Sequence, residues 1–186
     1  VGTGITANAD IRSGSGAGTG NVSVLAGQSV TFTAGADIRT VSTSTATGTI
    51  DVNAGTGGSI IMSDTSLFTS SGANGSIRMV ADVDVIVGSI TDADVAGLSA
   101  LDGNYADITA TALRLWAFNG IGLLGSGSAN ALETTVEVLA ARAAGGGINI
   151  LERDSLSIGD VAAVSVNRVS SEGTIGGSSD AVTMND

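Results

Sequence analysis

The chain repeats itself at a nearly constant interval, and the repeat is too short and too extended to be anything but stacked. Val30-Thr31-Phe32 leads through Ala36-Asp37-Ile38-Arg39 to Gly48-Thr49-Ile50-Asp51-Val52. Ile60-Ile61-Met62 leads through Ser66-Leu67-Phe68 to Gly75-Ser76-Ile77-Arg78-Met79. Ala9-Asp10-Ile11-Arg12 and Gly20-Asn21-Val22-Ser23-Val24 supply the same later parts of a third unit. Its opening part is matched by Ala181-Val182-Thr183-Met184, at the far end of the chain. From Ile11 to Ile38 is 27 residues, from Ile38 to Leu67 29, from Val22 to Ile50 28 and from Ile50 to Ile77 27. Within each unit the apolar residues alternate at period two, and Gly, Ser, Thr, Asn and Asp separate the runs. A helical repeat of this length would carry a 3.6-residue period instead.

Three short strands per unit describe one coil of a parallel β-solenoid, with Ile11, Ile38 and Leu67 in one interior ladder and Val22, Ile50 and Ile77 in another. One such coil cannot bury its own apolar face, so coils are stable only when neighbours cover them and pair their backbones. The expected fold is all-β, a parallel β-helix (β-solenoid) with about 27–30 residues and three short strands per coil. The chain, residues 1–186, reads as a single solenoid module about 30 Å long. The split third unit implies one period of a tandem array, or a subunit stacking head to tail on copies of itself. Neither end carries a capping helix or a blunted edge strand, and open edges template further pairing.

Composition narrows the function. The formal charge of −11, with no Lys and seven Arg, argues against nucleic acid, which needs clustered cations to neutralise phosphate. The most apolar region, 112–124, is interrupted by Arg114, Asn119, Gly120 and Gly122, so no membrane span is expected. Without Cys there are no disulfides. The acidic balance keeps a long assembly soluble. Further period-two runs occur at Val83–Val87, Ile148–Ile150, Leu156–Ile158 and Val164–Val166. Residues 92–107 form a longer connection leaving the coil. Residues 131–144 admit an amphipathic helix, but Thr134-Thr135-Val136-Glu137-Val138 keeps the strand rhythm, and a strand is expected there.

Leu132-Glu133-Thr134-Thr135-Val136, Leu139-Ala140-Ala141, Gly145-Gly146-Gly147-Ile148-Asn149-Ile150 and Leu156-Ser157-Ile158-Gly159 form a pattern that resembles the repeat regions of filamentous-haemagglutinin-like giant bacterial exoproteins. Ala112-Leu113-Arg114-Leu115 with Gly120-Ile121-Gly122 fits the same pattern. The resemblance implies a right-handed parallel β-helix, export to the cell surface and a rod-like or fibrous role. It brings no catalytic residues.

Several residue sets could carry chemistry. Asp82, Asp84, Asp92 and Asp94 are the candidate metal site, because calcium takes six to eight oxygens from closely spaced carboxylates and carbonyls. The competing and favoured account is a solvated acidic face. Gly120-Ile121-Gly122-Leu123-Leu124-Gly125 matches a dinucleotide-binding glycine pattern, but Ser126-Gly127-Ser128 opposes the helix that such a site opens on. Tyr105, Trp116 and Phe118 could stack on a glycan if exposed; core packing is the preferred account. Asp10-Ile11-Arg12 and Asp37-Ile38-Arg39 stack as outer charge ladders, with opposite charges pairing from coil to coil. The expectation is a non-enzymatic structural module without a resident cofactor, part of an extracellular bacterial fibre or adhesin stalk. The alternatives are an adhesive module binding a cell-surface glycan or calcium through the 92–107 loop, and a glycan-cleaving β-helix.

Overall fold

The structure, a computed structural model, describes residues 3–14, 20–40, 48–63, 66–70, 75–81, 88, 90–93, 106–122, 131–169 and 175–179. Among them every regular element is a strand. The first coil is β1 (Ile5–Ala7), β2 (Ile11–Ser13) and β3 (Asn21–Ala26). The second is β4 (Val30–Phe32), β5 (Ile38–Thr40) and β6 (Thr49–Ala54), and the third is β7 (Ile60–Ser63), β8 (Phe68–Ser70) and β9 (Ser76–Ala81). The fourth holds β10 (Ile90–Ala93) and the long β11 (Ile108–Ala117), and the fifth the long β12 (Leu132–Ala143). The sixth has the short β13 (Ile150–Glu152) and β14 (Ser157–Ile158). All pairing within these coils is parallel, which gives a β-solenoid with three faces.

The register turns the repeat into ladders. On the first face Ile5, Val30, Ile60 and Ile90 stack, and isolated bridges carry the row on through Ile121 to Ile148. On the second face Ile11, Ile38, Phe68, Ile108, Thr134 and Glu152 stack. On the third face the row is Val22, Ile50, Ile77, Leu113, Leu139 and Ile158. Beside it run Val24, Val52, Met79, Leu115 and Ala141, and then a row of alanines at 26, 54, 81, 117 and 143. These rows meet inside as one apolar core, where Phe32 and Phe68 pack edge to face with ring centroids 4.6 Å apart. Gly20 and Gly75 precede the third-face strands because a Cβ there would sit 2.3 and 2.4 Å from the carbonyl oxygens of Ser13 and Ser70.

The strand expected over 134–138 is present and extends to twelve residues as β12. Four expectations are corrected. Leu67 does not join the Ile11–Ile38 row: Phe68 does, since it shares inward parity with Ser70 and meets Phe32, while Leu67 is half-buried and points outward. The first coil has its own opening strand, because Ile5-Thr6-Ala7 occupies the place assigned to 181–184; the latter lie outside the described residues. The step between rows is not constant: Phe68 to Ile108 is 40 residues and Thr134 to Glu152 is 18. Finally, Val164-Ser165-Val166 does not continue the solenoid. It enters β15 (Ser165–Val169), which pairs antiparallel with β16 (Ile175–Ser179).

That last segment runs back along the outside. Val161 is buried against Ala140, with Ala112, Trp116 and Val138 packed around them, all on the outward side of β11 and β12. β15 then lies against β3 and β6, at the other end of the stack. Val161, Val164 and Val166 are each buried. The expected run at Val83–Val87 falls outside the described residues.

Depth in the stack sets the cost of a deletion. Ile50 is fully enclosed by rows above and below, so Ile50→Ala is expected to destabilise by about 2–5 kcal/mol. Ile158, in the same row but 64% exposed, is expected to lose under about 1 kcal/mol as Ala. Urea unfolding of the two variants checks the difference; equal losses would contradict the register.

Candidate functional site

The polar chemistry of this chain sits on the outside of its second face and at the corner between the second and third. Just before the second-face strands stands a row formed by Asp10, Asp37, Leu67, Asp107 and Glu133. Here the chain turns, and a carboxylate from one coil accepts the backbone N–H of the next. Asp10 Oδ1 accepts from Asp37 N at 3.3 Å, Asp37 Oδ1 from Leu67 N at 3.0 Å and Asp107 Oδ2 from Glu133 N at 2.9 Å. Asp37 and Asp107 are buried, so these bonds offset the desolvation of their charge.

The arginines pair within their own coil. Arg12 binds Asp10 through both Nε, at 3.1 Å, and a terminal nitrogen, and Arg39 binds Asp37. The coil-to-coil charge pairing expected for these residues is therefore replaced by carboxylate-to-amide bonds, because the aspartates point along the axis at the turning backbone. A cross-coil ion pair does form on the third face, between Arg78 and Asp51 at 2.5 Å, with both side chains largely covered. Asp10 has its carboxyl held below its usual value of 3.8, chiefly by the Arg12 hydrogen bond and then by the Asp37 amide.

The corner between the second and third faces varies in length. Residues 14–20 separate β2 from β3, residues 41–48 separate β5 from β6, and residues 71–75 separate β8 from β9. In β11 and β12 the corner shrinks to the single residues Thr111 and Glu137, so each strand runs across both faces. In the sixth coil it lengthens again to residues 153–156. A groove of about 370 Å³ lies along the two tight corners. Thr69, Thr109 and Thr135 stack in register along it, with Thr111, Val136 and Glu137 at the bend and Asp154 at the far end. Thr135 Oγ1 is buried and has no hydrogen-bond partner. Below it, the inward row turns polar: Thr134 donates its hydroxyl to Glu152 Oε2 at 2.8 Å, and the same carboxylate accepts the amides of Val136 and Arg153.

Of the candidate calcium residues, Asp82, Asp84 and Asp94 lie outside the described residues. Asp92 belongs to β10, in register with Met62, and not to a loop. Among the described residues no three acidic side chains converge as a metal site would require. Tyr105 lies outside the described residues. Trp116 is neither core nor free surface: it is half-buried under Val161, with the Arg142 guanidinium 5.5 Å from its ring centroid. Ile121, within the glycine pattern at 120–125, is a rung between Ile90 and Ile148, and the glycines before and after it turn the coil. The Asp row was half legible, since Asp stands before Ile at 10–11, 37–38 and again at 107–108.

Two outcomes follow for the Asp row. Asp37→Ala is expected to cost about 1–3 kcal/mol by leaving the Leu67 amide without its acceptor, and Asp37→Asn to recover most of that, as read by thermal and urea unfolding. Asp10, whose value is lowered in the folded state, adds stability that is present above pH 3.8 and is lost as pH falls through the lowered value. An acid titration should therefore show a shallower loss in Asp10→Asn than in the parent. No helix among the described residues is long and apolar enough to cross a membrane. Comparison with protein-family models, with curated proteins and with solved structures found no match to this chain.

Proposed function

We propose that this chain is a structural module of an extracellular bacterial fibre or adhesin stalk, extended end to end by further β-coils. The observation that carries the reading is the state of its end rungs. Ile148 and Ile158 occupy the last places in their rows and are 45% and 64% exposed, whereas Ile60 and Ile50 in the same rows are fully buried. At the other end Ile5 and Ile11 are half-buried, while Val30 and Ile38 one coil on are sealed. Among the described residues, β1, β2 and β3 pair along one edge only. The first row begins on Ile5 and ends on Ile148, the third begins on Val22 and ends on Ile158, and the second passes from Ile11 to Glu152, so a second copy placing Ile5 beneath Ile148 and Val22 beneath Ile158 would continue the two apolar rows. An in-register parallel edge favours such an addition over a random contact. The acidic charge and the likeness to giant exoprotein repeats support the extracellular setting.

Sedimentation velocity and negative-stain electron microscopy over a range of concentration test the reading. The expected result is rods lengthening with concentration, and shorter ones for the Ile148→Asp/Ile158→Asp variant with its circular dichroism unchanged. Particles of a single chain's length at every concentration would overturn it.

A further inference from the structure

The first face differs from the other two in charge. The chain carries no charged residue over 1–9, 13–36, 52–63, 115–132 and 143–151, and each of these runs contains one first-face rung: Ile5, Val30, Ile60, Ile121 or Ile148. The outward row beside those rungs is Thr6, Thr31, Ile61 and Thr91, stacked in register. Thr6 is exposed and the other three are half-buried, so the row is open to solvent. Ser29 and Ser59 stand just before their strands, and the Ser59 amide donates to Ser29 Oγ at 3.1 Å. The one charged residue in β1, β4, β7 and β10 is Asp92, whose place in the register is that of the inward Met62. The second face, by contrast, carries Arg12 and Arg39 with their aspartates, and the third carries the Arg78–Asp51 pair.

We propose that this neutral face is a lateral contact between two rods, and that its occupant is the same face of a second copy of this chain. The contact presupposes the end-to-end stacking proposed above. With a net charge of −11, two copies repel at a distance, and a close contact on the second or third face must also strip water from ions. On the first face it covers only hydroxyls and alkyl groups. Thr and Ser hydroxyls both donate and accept, so two opposed rows satisfy each other. The rows repeat about every 4.8 Å, so a fit made at one coil recurs at the next. A two-fold axis lying in the contact plane makes the face its own partner. The face occurs once around the coil, so the contact joins two rods and then closes. Area decides when it forms. A three-residue strand is about 10 Å wide and six coils are about 24 Å tall, so one chain offers on the order of 240 Å². A stable interface takes about 800 Å² from each partner, which needs about three or four chains end to end. Single chains therefore stay apart sideways, and pairing sets in once rods have formed.

Negative-stain electron microscopy and small-angle scattering of the full chain in EDTA test this at rod-forming concentration. Sodium chloride is set at about 0.1 M and about 1 M, where the screening length falls from about 10 to about 3 Å. Rods should lie two abreast, and more of them at the higher salt. In Thr31→Glu/Thr91→Glu the pairs should be lost while rod length and circular dichroism stay as in the parent. Arg12→Gln, on the second face, should leave the pairs intact. Rods that stay single at both salts overturn the lateral contact alone. So do pairs that survive Thr31→Glu/Thr91→Glu, pairs that come apart at the higher salt or form only with calcium, and bundles thicker than two rods. Side-by-side dimers of the unstacked Ile148→Asp/Ile158→Asp chain would overturn it as well. Absence of rods at any concentration overturns the end-to-end reading and this contact with it.

Discussion

In-register parallel stacking is the constraint on which the rest of this molecule depends. Each inward side chain is covered by its equivalents in the coils above and below, so burial is a property of position along the axis. Ile50, Ile77 and Leu113 are sealed in mid-row, Leu139 nearly so, and Ile158 opens to solvent at the far end; Val22, the first rung, is also buried, in the strand that β15 lies against. The side-chain period is two, so a slip of one residue would turn a whole row outward. This explains why strands keep their register while the turns between them do not keep their length. The third-face row stays aligned although the step from Ile77 to Leu113 is 36 residues and that from Leu139 to Ile158 is 19.

The rows most legible in the sequence were those with the cleanest alternation and a glycine at the corner. Val22, Ile50 and Ile77 follow Gly20, Gly48 and Gly75 at one fixed offset, and they stack as that offset requires. Leu67 misled because either of two adjacent apolar residues satisfies a period-two pattern, and only the packing of Phe68 on Phe32 decides between them. Ile5-Thr6-Ala7 went unseen because it offers a single large apolar side chain. Val164-Ser165-Val166 alternates like any coil strand, and nothing local marks it as a segment that turns back. The groove was illegible for a different reason. It arises from the difference in corner length between neighbouring coils, and no single coil encodes a difference.

The aspartates show how one residue type serves a stack. At 10, 37 and 107 the carboxylate reaches along the axis to a backbone amide of the next coil. At 51 it meets an arginine one coil away under a cover of other chain. Glu152 does similar work at the end, folding up onto Thr134 and Val136 where the second-face strand stops. Acidity here is partly architecture, so the net charge overstates what remains free to meet a partner.

The returning segment changes how such a pile comes apart. A simple solenoid behaves as a one-dimensional lattice in which each unit feels its nearest neighbours, so it frays from whichever tip is weaker. In this chain Val161 grips the fourth and fifth coils from outside, and β15 reaches the first and second. Peeling either tip thus loosens a strap anchored near the opposite tip. The lattice acquires a long-range tie, and tension applied along the axis is shared between the sheet hydrogen bonds and a second, parallel strand of chain.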